Sequence, residues 1–504
     1  MAATGAWCGL TDSIANTLHW MVLLQPESGR RYVPAGRRWL FPSPDGGRDH
    51  WTIFEWDGFL NALLLSLESP DLAREMLDAV VATQYPSGNV PNWRGRFAGT
   101  PDRSQPPIGA FVVVKLLLRL DDVALVEHVL PALEAWHAWW RRRRRPSGLY
   151  AWGSDVSAVP DWVPPWERAA THRQKAAWES GQDDLPNWDD VPWDEVGQTL
   201  DMDCVDLSAL VALDAECLSF LAERVGRIDQ AQRYRSEHAA LCARLDERLW
   251  DESRGVYADR FPDGRFSSRL AASNFLPLLA GAVPDHRLSR VLDLLTDPNQ
   301  FWGRWIVPTI GRRDPAFQDQ QYWRGTIWPP TNFLLYEGLR RVRADDAAAT
   351  LAERSVALFL DDWRCHQVSR ENFSSIDGIG GGHRHQSWGP LFSWTGLSEL
   401  VDATPWDGLR VGAVSMARES SVTRLRLGGH VWDVTLGPSR TVVRCDGIVE
   451  LMADAPVCLR HWQNADRGWQ ARLSTSRPTV VSVRGDEPRL YPAGNHDVEA
   501  RQVE

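Results

Sequence analysis

The stretch PPIGAFVVVKLLLRL, Pro106–Leu120, repeats like a helix yet has almost no polar face. Lys115 and Arg119 make one narrow polar stripe; the rest is apolar nearly all round, so the helix is predicted to be buried on most sides. The pattern before it is of the other kind. Ser69 reads as an N-cap with Pro70 at the first helical position. Leu72, Met76, Leu77, Val80 and Val81 follow at helix spacing and give a single apolar face. Both kinds recur downstream. Val205–Val225 is rich in Leu and Ala, and Ile228–Trp250 is amphipathic. Leu270–Leu279, Arg287–Leu295, Trp328–Val342, Ala347–Trp363 and Leu391–Val401 continue the series, to about a dozen candidates. Alternating buried and amphipathic helices predict two concentric layers, most simply a toroid of about six inner and six outer helices over residues 1–404.

Beyond Pro405 the pattern changes. Arg424–Leu427 and His430–Leu436 alternate around Gly428-Gly429, and Thr441–Cys445 and Ile448–Met452 flank Asp446-Gly447. With Val480–Val483 these predict a small C-terminal β-sandwich over 405–504. The expected fold class is therefore mainly α, a helical toroid with an accessory sandwich.

A chain of 504 residues allows roughly three domains, or one large barrel with an appendage. With 43% hydrophobic and 24% charged residues it has a soluble globular composition, which excludes disorder, collagen and a disulfide mini-fold. The net charge of −11 argues against nucleic acid. The one dense basic run, Arg141–Arg145, reads as a solvated helix end. The seven cysteines are scattered without a CxxC pair, so no zinc site or disulfide framework is expected and a reducing compartment fits. The sequence has no signal-peptide pattern and no apolar run of about 18 residues, so neither membrane association nor export is expected, and cytoplasm is the predicted location.

One number is abnormal: 27 Trp against 15 Phe and 8 Tyr. Flat rings with one donor edge suit sugar faces, although most will serve packing. Six Trp, ten acidic residues and six prolines crowd the irregular stretch 145–200. A long loop inside a compact domain is usually functional or disordered, and this much Trp argues against disorder.

Four segments set Trp beside acids or amides: 54–59 (FEWDGF), 102–107 (DRSQPP), 179–188 (ESGQDDLPNW), and 321–328 (QYWRGTIW) together with Glu371-Asn372-Phe373 and Gln386-Ser387-Trp388. All but the Glu371 group lie at or before helix starts, where an isolated acid is commonly a cap. Two carboxylates from distant loops across an aromatic pocket are what glycoside cleavage needs: one protonated as the acid, one ionised. Asp183, next to Asp184 and near Trp178 and Trp188, has surroundings that raise an acid's pKa. Glu371 is the candidate partner. For an inverting enzyme the two should stand about 6.5–9.5 Å apart, against about 5 Å for a retaining one.

The ordered set resembles glycoside hydrolase family 63, in its bacterial glucosylglycerate and mannosylglycerate hydrolase branch, within a clan that includes trehalases. WDGF at 56–59 is similar to the family's Trp-Asp-Ser/Gly-Phe, and SQPP at 104–107 to its Ser-Gln-Pro-Pro. ESGQDD at 179–184 resembles Glu-Ser-Gly-Met-Asp-Asn, YWRGTIW at 322–328 resembles Tyr-Trp-Arg-Gly-Pro-Val-Trp, and ENF at 371–373 resembles Glu-Asn-Tyr. The resemblance implies an (α/α)6 barrel and an inverting mechanism, with Asp183 as general acid and Glu371 as general base. It places Trp56, Asp57, Gln105, Trp323, Arg324, Gly325 and Trp328 in the glycone subsite, closed by Trp388, with Trp188 beside the acid. The chain departs from the family near the catalytic pair. Asn187 stands where the motif has Arg, Ser374-Ser375-Ile376-Asp377 follows ENF, and Gly380-Gly381-Gly382-His383-Arg384-His385 is unfamiliar.

The expected activity is an inverting, exo-acting α-glucosidase that frees glucose from a small α-glucoside, glucosylglycerate-like or an α-disaccharide. The partner is a small carbohydrate, a homo-oligomer stays open, and no cofactor is expected. No EF-hand pattern speaks for Ca²⁺. His383 and His385 read as structural or substrate contacts, or, more weakly, as metal ligands. Two other readings remain: a sugar epimerase on a helical toroid, and a non-catalytic carbohydrate binder using Trp462 and Trp469 as a platform.

Overall fold

The computed structural model describes residues 1–501 apart from 27, 161, 466, 467 and 485. Its first helices are α1 (Leu10–Met21), α2 (Glu55–Leu65), α3 (Pro70–Val81), α4 (Gly109–Leu120) and α5 (Val123–Trp139). Two short ones, α6 (Pro165–Ala169) and α7 (His172–Glu179), lie in the Trp- and acid-rich stretch. There follow α8 (Val205–Arg224), α9 (Ile228–Leu249), α10 (Pro277–Ala280) and α11 (Asp285–Leu295). The last are α12 (Pro329–Arg341), α13 (Asp345–His366) and α14 (Leu391–Leu400).

The two helix types separate in space. α2, α10 and α14 are buried at every residue, and α4, α8 and α12 nearly so. These six touch in series: α2 on α4, α4 on α8, α8 on α10, α10 on α12 and α12 on α14. α1 touches both α14 and α2. The amphipathic helices flank them: α3 packs on α2, α5 on α4, α9 on α8, and α13 on α12 and α14. The predicted caps hold, since the Ser69 hydroxyl accepts from Leu72 N–H ahead of Pro70.

Two expectations change. The Lys115/Arg119 stripe is buried with the rest of α4. Lys115 Nζ donates to Glu337 Oε1 at 2.7 Å and to Asp402 Oδ2 at 3.0 Å, so the charge is matched inside. The run Leu270–Leu279 is no single helix. A 3-10 turn, Ala272–Phe275, leads into the four-residue α10, because Pro277 can only open a helix and Gly281, at φ +69°, closes it.

All sheet pairings are antiparallel. A seven-stranded sheet runs Ala2–Gly5, Ser420–Leu427, His430–Gly437, Arg440–Cys445, Ile448–Ala453, Thr479–Val483, Arg489–Tyr491. A five-stranded one runs Val401–Thr404, Gly408–Gly412, Val457–Ala465, Gly468–Thr475, Gly494–Arg501. Both predicted hairpins form, with Leu427 opposite His430 and Cys445 opposite Ile448. Their two-residue turns have φ of +61° and +79° at Gly428-Gly429 and +51° and +84° at Asp446-Gly447, the sign that a primed turn requires. The sheets take in more than 405–501. They begin at Val401, directly after α14, and they recruit Ala2–Gly5, because a strand edge accepts any extended segment with free backbone groups. Trp462 and Trp469 are buried between the sheets, stacked at 3.9 Å with Trp432 edge-on at 5.2 Å, and are core rather than platform.

Candidate active site

The motif segments converge, three of them at or just before helix starts, whereas 179–188 follows the end of a helix instead of preceding one. Phe54 caps α2, which places Trp56 and Asp57 in its first turn. Gln105 lies just ahead of α4, Asp183 just behind α7, and Trp328 caps α12. Glu371 comes from a strand, Arg370–Phe373, paired with Gly380–Arg384. Together they enclose a cavity of about 250 Å³ whose wall includes Trp56, Asp57, Gln105, Asp183, Trp323, Trp328, Glu371 and Trp388.

Asp183 and Glu371 thus face one cavity although 188 residues of chain, counted from their numbers, separate them. Each has its own donor: the Tyr322 hydroxyl lies 2.9 Å from Asp183 Oδ2, and the His383 backbone N–H 2.7 Å from Glu371 Oε2. Burial pushes the Asp183 carboxyl up to about 7; the Tyr322 hydrogen bond opposes this, and the charges of Asp184 and Glu371 add to it. Burial also pushes Glu371 up to about 7, against the pull of the His383 N–H. Asp57, held by Gln386 Nε2 at 3.3 Å, lies well above the usual carboxylate range through burial and the nearby charges of Glu371 and Asp183. Burial and mutual repulsion of three acids around one hollow favour retention of protons there.

The walls around them are rings. Trp323 and Trp328 stack at 3.7 Å, Trp56 leans toward Trp323 at 6.1 Å, and Trp388 stands edge-on to Trp56 and Trp328 at 5.6 Å each. Trp388 also donates its indole N–H to the Glu371 carbonyl at 3.0 Å. Gly181, at φ +68°, lies over Trp56, where a Cβ would come within 2.9 Å of the ring.

Three residues expected to bind substrate, Arg324 and Gly325 in the glycone subsite and Trp188 beside the acid, do not line the cavity. Trp188 is buried behind Asp183 and donates its indole N–H to the Gln182 carbonyl at 2.9 Å. Arg324 turns outward and straps the acid loop, with hydrogen bonds to Asp189 at 3.0 and 3.1 Å and to the Asp184 carbonyl at 3.2 Å. Gly325, at φ +92°, is a turn residue; a Cβ there would lie 2.6 Å from the Phe317 carbonyl oxygen. The Arg141–Arg145 run is only partly solvated. Arg143 is buried and clasps Glu179 through Nε and Nη2 at 2.8 and 2.9 Å, which anchors the segment that carries Asp183.

Other wall residues escaped the sequence reading: Trp39, Phe41, Phe54, Asn92, Trp93, Arg103, Trp166 and Tyr322. Phe54, Arg103 and Tyr322 stand inside quoted motifs and Trp166 inside the stretch 145–200, and could have been found there. The segment from Trp39 to Phe54 is built from two-residue strands, Leu40–Phe41 with His50–Trp51 and Ile53–Phe54 with Trp93–Arg94, too short to leave a periodicity. His383 packs its ring 4.9 Å from Trp39 and His385 lies 6.3 Å from Trp20. Neither belongs to a cluster of three metal-ligating side chains among the described residues.

Residues 50–389 match the mannosylglycerate hydrolase MGH1-like glycoside hydrolase domain. Mannosylglycerate hydrolase MGH1 of Selaginella moellendorffii is 26% identical over 74% of this chain and 82% of its own length. The mannosylglycerate hydrolase of Rubrobacter radiotolerans is 26% identical over 68% of this chain and 88% of its own. Among solved structures, the GH63 mannosylglycerate hydrolase from Thermus thermophilus in complex with glucose shares the fold, with a TM-score of 0.59 at 21% identity over 77% of this chain and all of that one. The domain match runs unbroken from the strands ahead of α2 to the turn before α14, and the chain accordingly belongs to the MGH1-like glycoside hydrolases of family 63.

Proposed function

We propose that the protein is an inverting, exo-acting α-glycosidase that releases glucose from a small α-glucoside. The observation that carries this is the pairing of Asp183 and Glu371 on one Trp-walled cavity, each pushed up to about 7. Asp183 gives its proton to the glycosidic oxygen as the bond to the anomeric carbon breaks. Glu371 takes a proton from a water whose oxygen bonds that carbon from the other face, so one water is consumed and both acids have exchanged protonation state. Trp56, Trp323, Trp328 and Trp388 hold the glycone, with Gln105 and Asp57 at its hydroxyls. A cavity of about 250 Å³ suits one end of a small sugar rather than a polymer running through. Relatives named mannosylglycerate hydrolase and trehalase support an α-glycoside hydrolase.

The same reading takes the serial contacts α2, α4, α8, α10, α12, α14 and the return through α1 as a closed (α/α)6 toroid over 1–404, with the sheets as an accessory domain. The seven unpaired cysteines favour a reducing, cytoplasmic setting. The test is NMR of the first-formed anomer from a panel of α-glucosides and α-mannosides in water labelled with both ¹⁸O and deuterium. β-Glucose carrying solvent oxygen is expected. α-Glucose as first product would overturn inversion, and solvent hydrogen on a sugar carbon without hydrolysis would mark an epimerase.

A further inference from the structure

We infer that the substrate's aglycone is uncharged and presents an apolar ring face, a second sugar or an aryl group, rather than a carboxylate. This rests on the assignment of Asp183 and Glu371 above. The four-tryptophan cage accounts for the wall around the two acids. Much of the remaining wall is a second aromatic cluster centred on Phe41, whose ring lies 6.0 Å from Phe54, 4.6 Å from Trp93 and 5.5 Å from Trp166. Trp166 continues it to Trp178 at 5.7 Å, and Trp39 meets Phe54 at 5.5 Å. Phe41 and Trp93 are enclosed and serve packing, but Trp166 is 45% exposed, so the cluster runs from the cavity out to the surface. Bare ring area in a concave wall favours flat apolar faces, of the kind that pyranoses and arenes carry.

Charge argues in the same direction. Among the described residues that line the cavity, Arg103 is the one cation, against Asp57, Asp183 and Glu371. Its guanidinium is committed elsewhere. Nη1 and Nη2 donate to Glu167 at 2.8 and 2.7 Å, Nη1 also to Asp102 at 3.2 Å, and Trp178 covers it at 5.3 Å. Of its five N–H these bonds use three; the Nε N–H is buried and has no hydrogen-bond partner. Asn187, which stands where the resembling motif has an arginine, turns its amide to Asp259 at 3.0 Å and brings no charge. His383, beside Trp39, is held below its usual range by burial and by Arg38, so it stays neutral at pH 7. A carboxylate in this wall would meet three acids and a single cation whose charge Glu167 and Asp102 already match, whereas a neutral ring would meet stacking surface. Arg38, whose charge acts on His383, is exposed and does not line the cavity.

The test compares kcat/KM of the full-length enzyme on α-glucosides and α-mannosides that differ only in aglycone: phenyl, a second glucose, methyl, glycerate, and the methyl ester of that glycerate. Expected are ester turnover at least equal to that of the free acid and a preference for ring aglycones over methyl of about tenfold or more. The phenyl and glucose arms separate an aryl from a sugar subsite. Trp166→Ala, at the exposed end of the wall, is expected to cost about tenfold on ring aglycones and less on methyl. A tenfold or greater preference for the free acid over its ester overturns the inference, and loss of that preference in Arg38→Gln would locate the carboxylate. Equal losses on ring and methyl aglycones in Trp166→Ala also count against it. Absence of turnover on every member of both series would instead remove the hydrolase assignment, and this inference with it.

Discussion

Gly382 abuts Glu371 so closely that a Cβ on residue 382 would overlap the carboxylate Oε2 and fall 2.7 Å from the Glu371 Cβ. Its φ of +65° lets the strand turn there, and the next N–H, on His383, then meets Oε2. Gly382→Ala is expected to displace the carboxylate and lower kcat by about 10²-fold, while the circular dichroism spectrum stays native. A variant with native kcat would mean that the carboxylate needs no such seat.

Removing either acid is expected to cost about 10²–10⁴-fold in turnover. Asp183→Asn and Glu371→Gln keep the shape of the side chain, so thermal melts should remain close to those of the parent. Steady-state rates on an activated and an unactivated glycoside separate the roles. Loss of the acid, Asp183, should hurt less when the leaving group is a good one, whereas loss of the base should hurt both substrates equally.

Activity needs Glu371 ionised and Asp183 protonated. As pH falls Glu371 gains its proton, and as pH rises Asp183 loses its own, so the rate profile should be a bell whose limbs belong to the interacting pair. The Tyr322 hydroxyl favours the ionised form of Asp183 and holds its pKa down. In Tyr322→Phe that pKa rises, and the alkaline limb of kcat/KM should move to higher pH while the acid limb moves less. A downward shift of the alkaline limb would contradict the assignment of Asp183 as the acid.

Lys115 joins α4 to Glu337 on α12 and to Asp402 on the first strand of the five-stranded sheet, with all three side chains buried. Lys115→Met leaves two carboxylates without their cation. The expected cost is about 3–5 kcal/mol in equilibrium unfolding by urea. The double variant Glu337→Gln with Asp402→Asn in the Lys115→Met background should recover part of it, since the stranded charges are then gone.

The parts of the fold that were legible in the sequence are those set by local rules. Ser69-Pro70 announces α3, and Gly428-Gly429 and Asp446-Gly447 announce their hairpins, because caps and primed turns depend on a few adjacent residues. Asp183, Glu371 and the four cage tryptophans were legible because each sits in a motif with its own neighbours. Within such a motif the direction of each side chain is not written. In Tyr322–Trp328 the rings of Trp323 and Trp328 stack on the cavity, whereas the intervening Arg324 reaches out to Asp189 and Gly325 serves the turn. The outer wall was illegible for another reason. Phe41, Phe54 and Trp93 meet only through two-residue strands, and those pairings are tertiary facts.

The strand Ala2–Gly5 lies on Ser420–Thr423, and Thr4 and Ser421 are 417 positions apart. During synthesis the leading residues therefore wait for a docking place that emerges after every helix has been made. Before Ala2–Gly5 docks, the edge formed by Ser420–Leu427 has no neighbour on that side, and a second nascent chain could offer one. The first few amino acids thus act as a clasp fastened last, and trimming them should leave assembled enzyme active while lowering the yield of monomer on refolding.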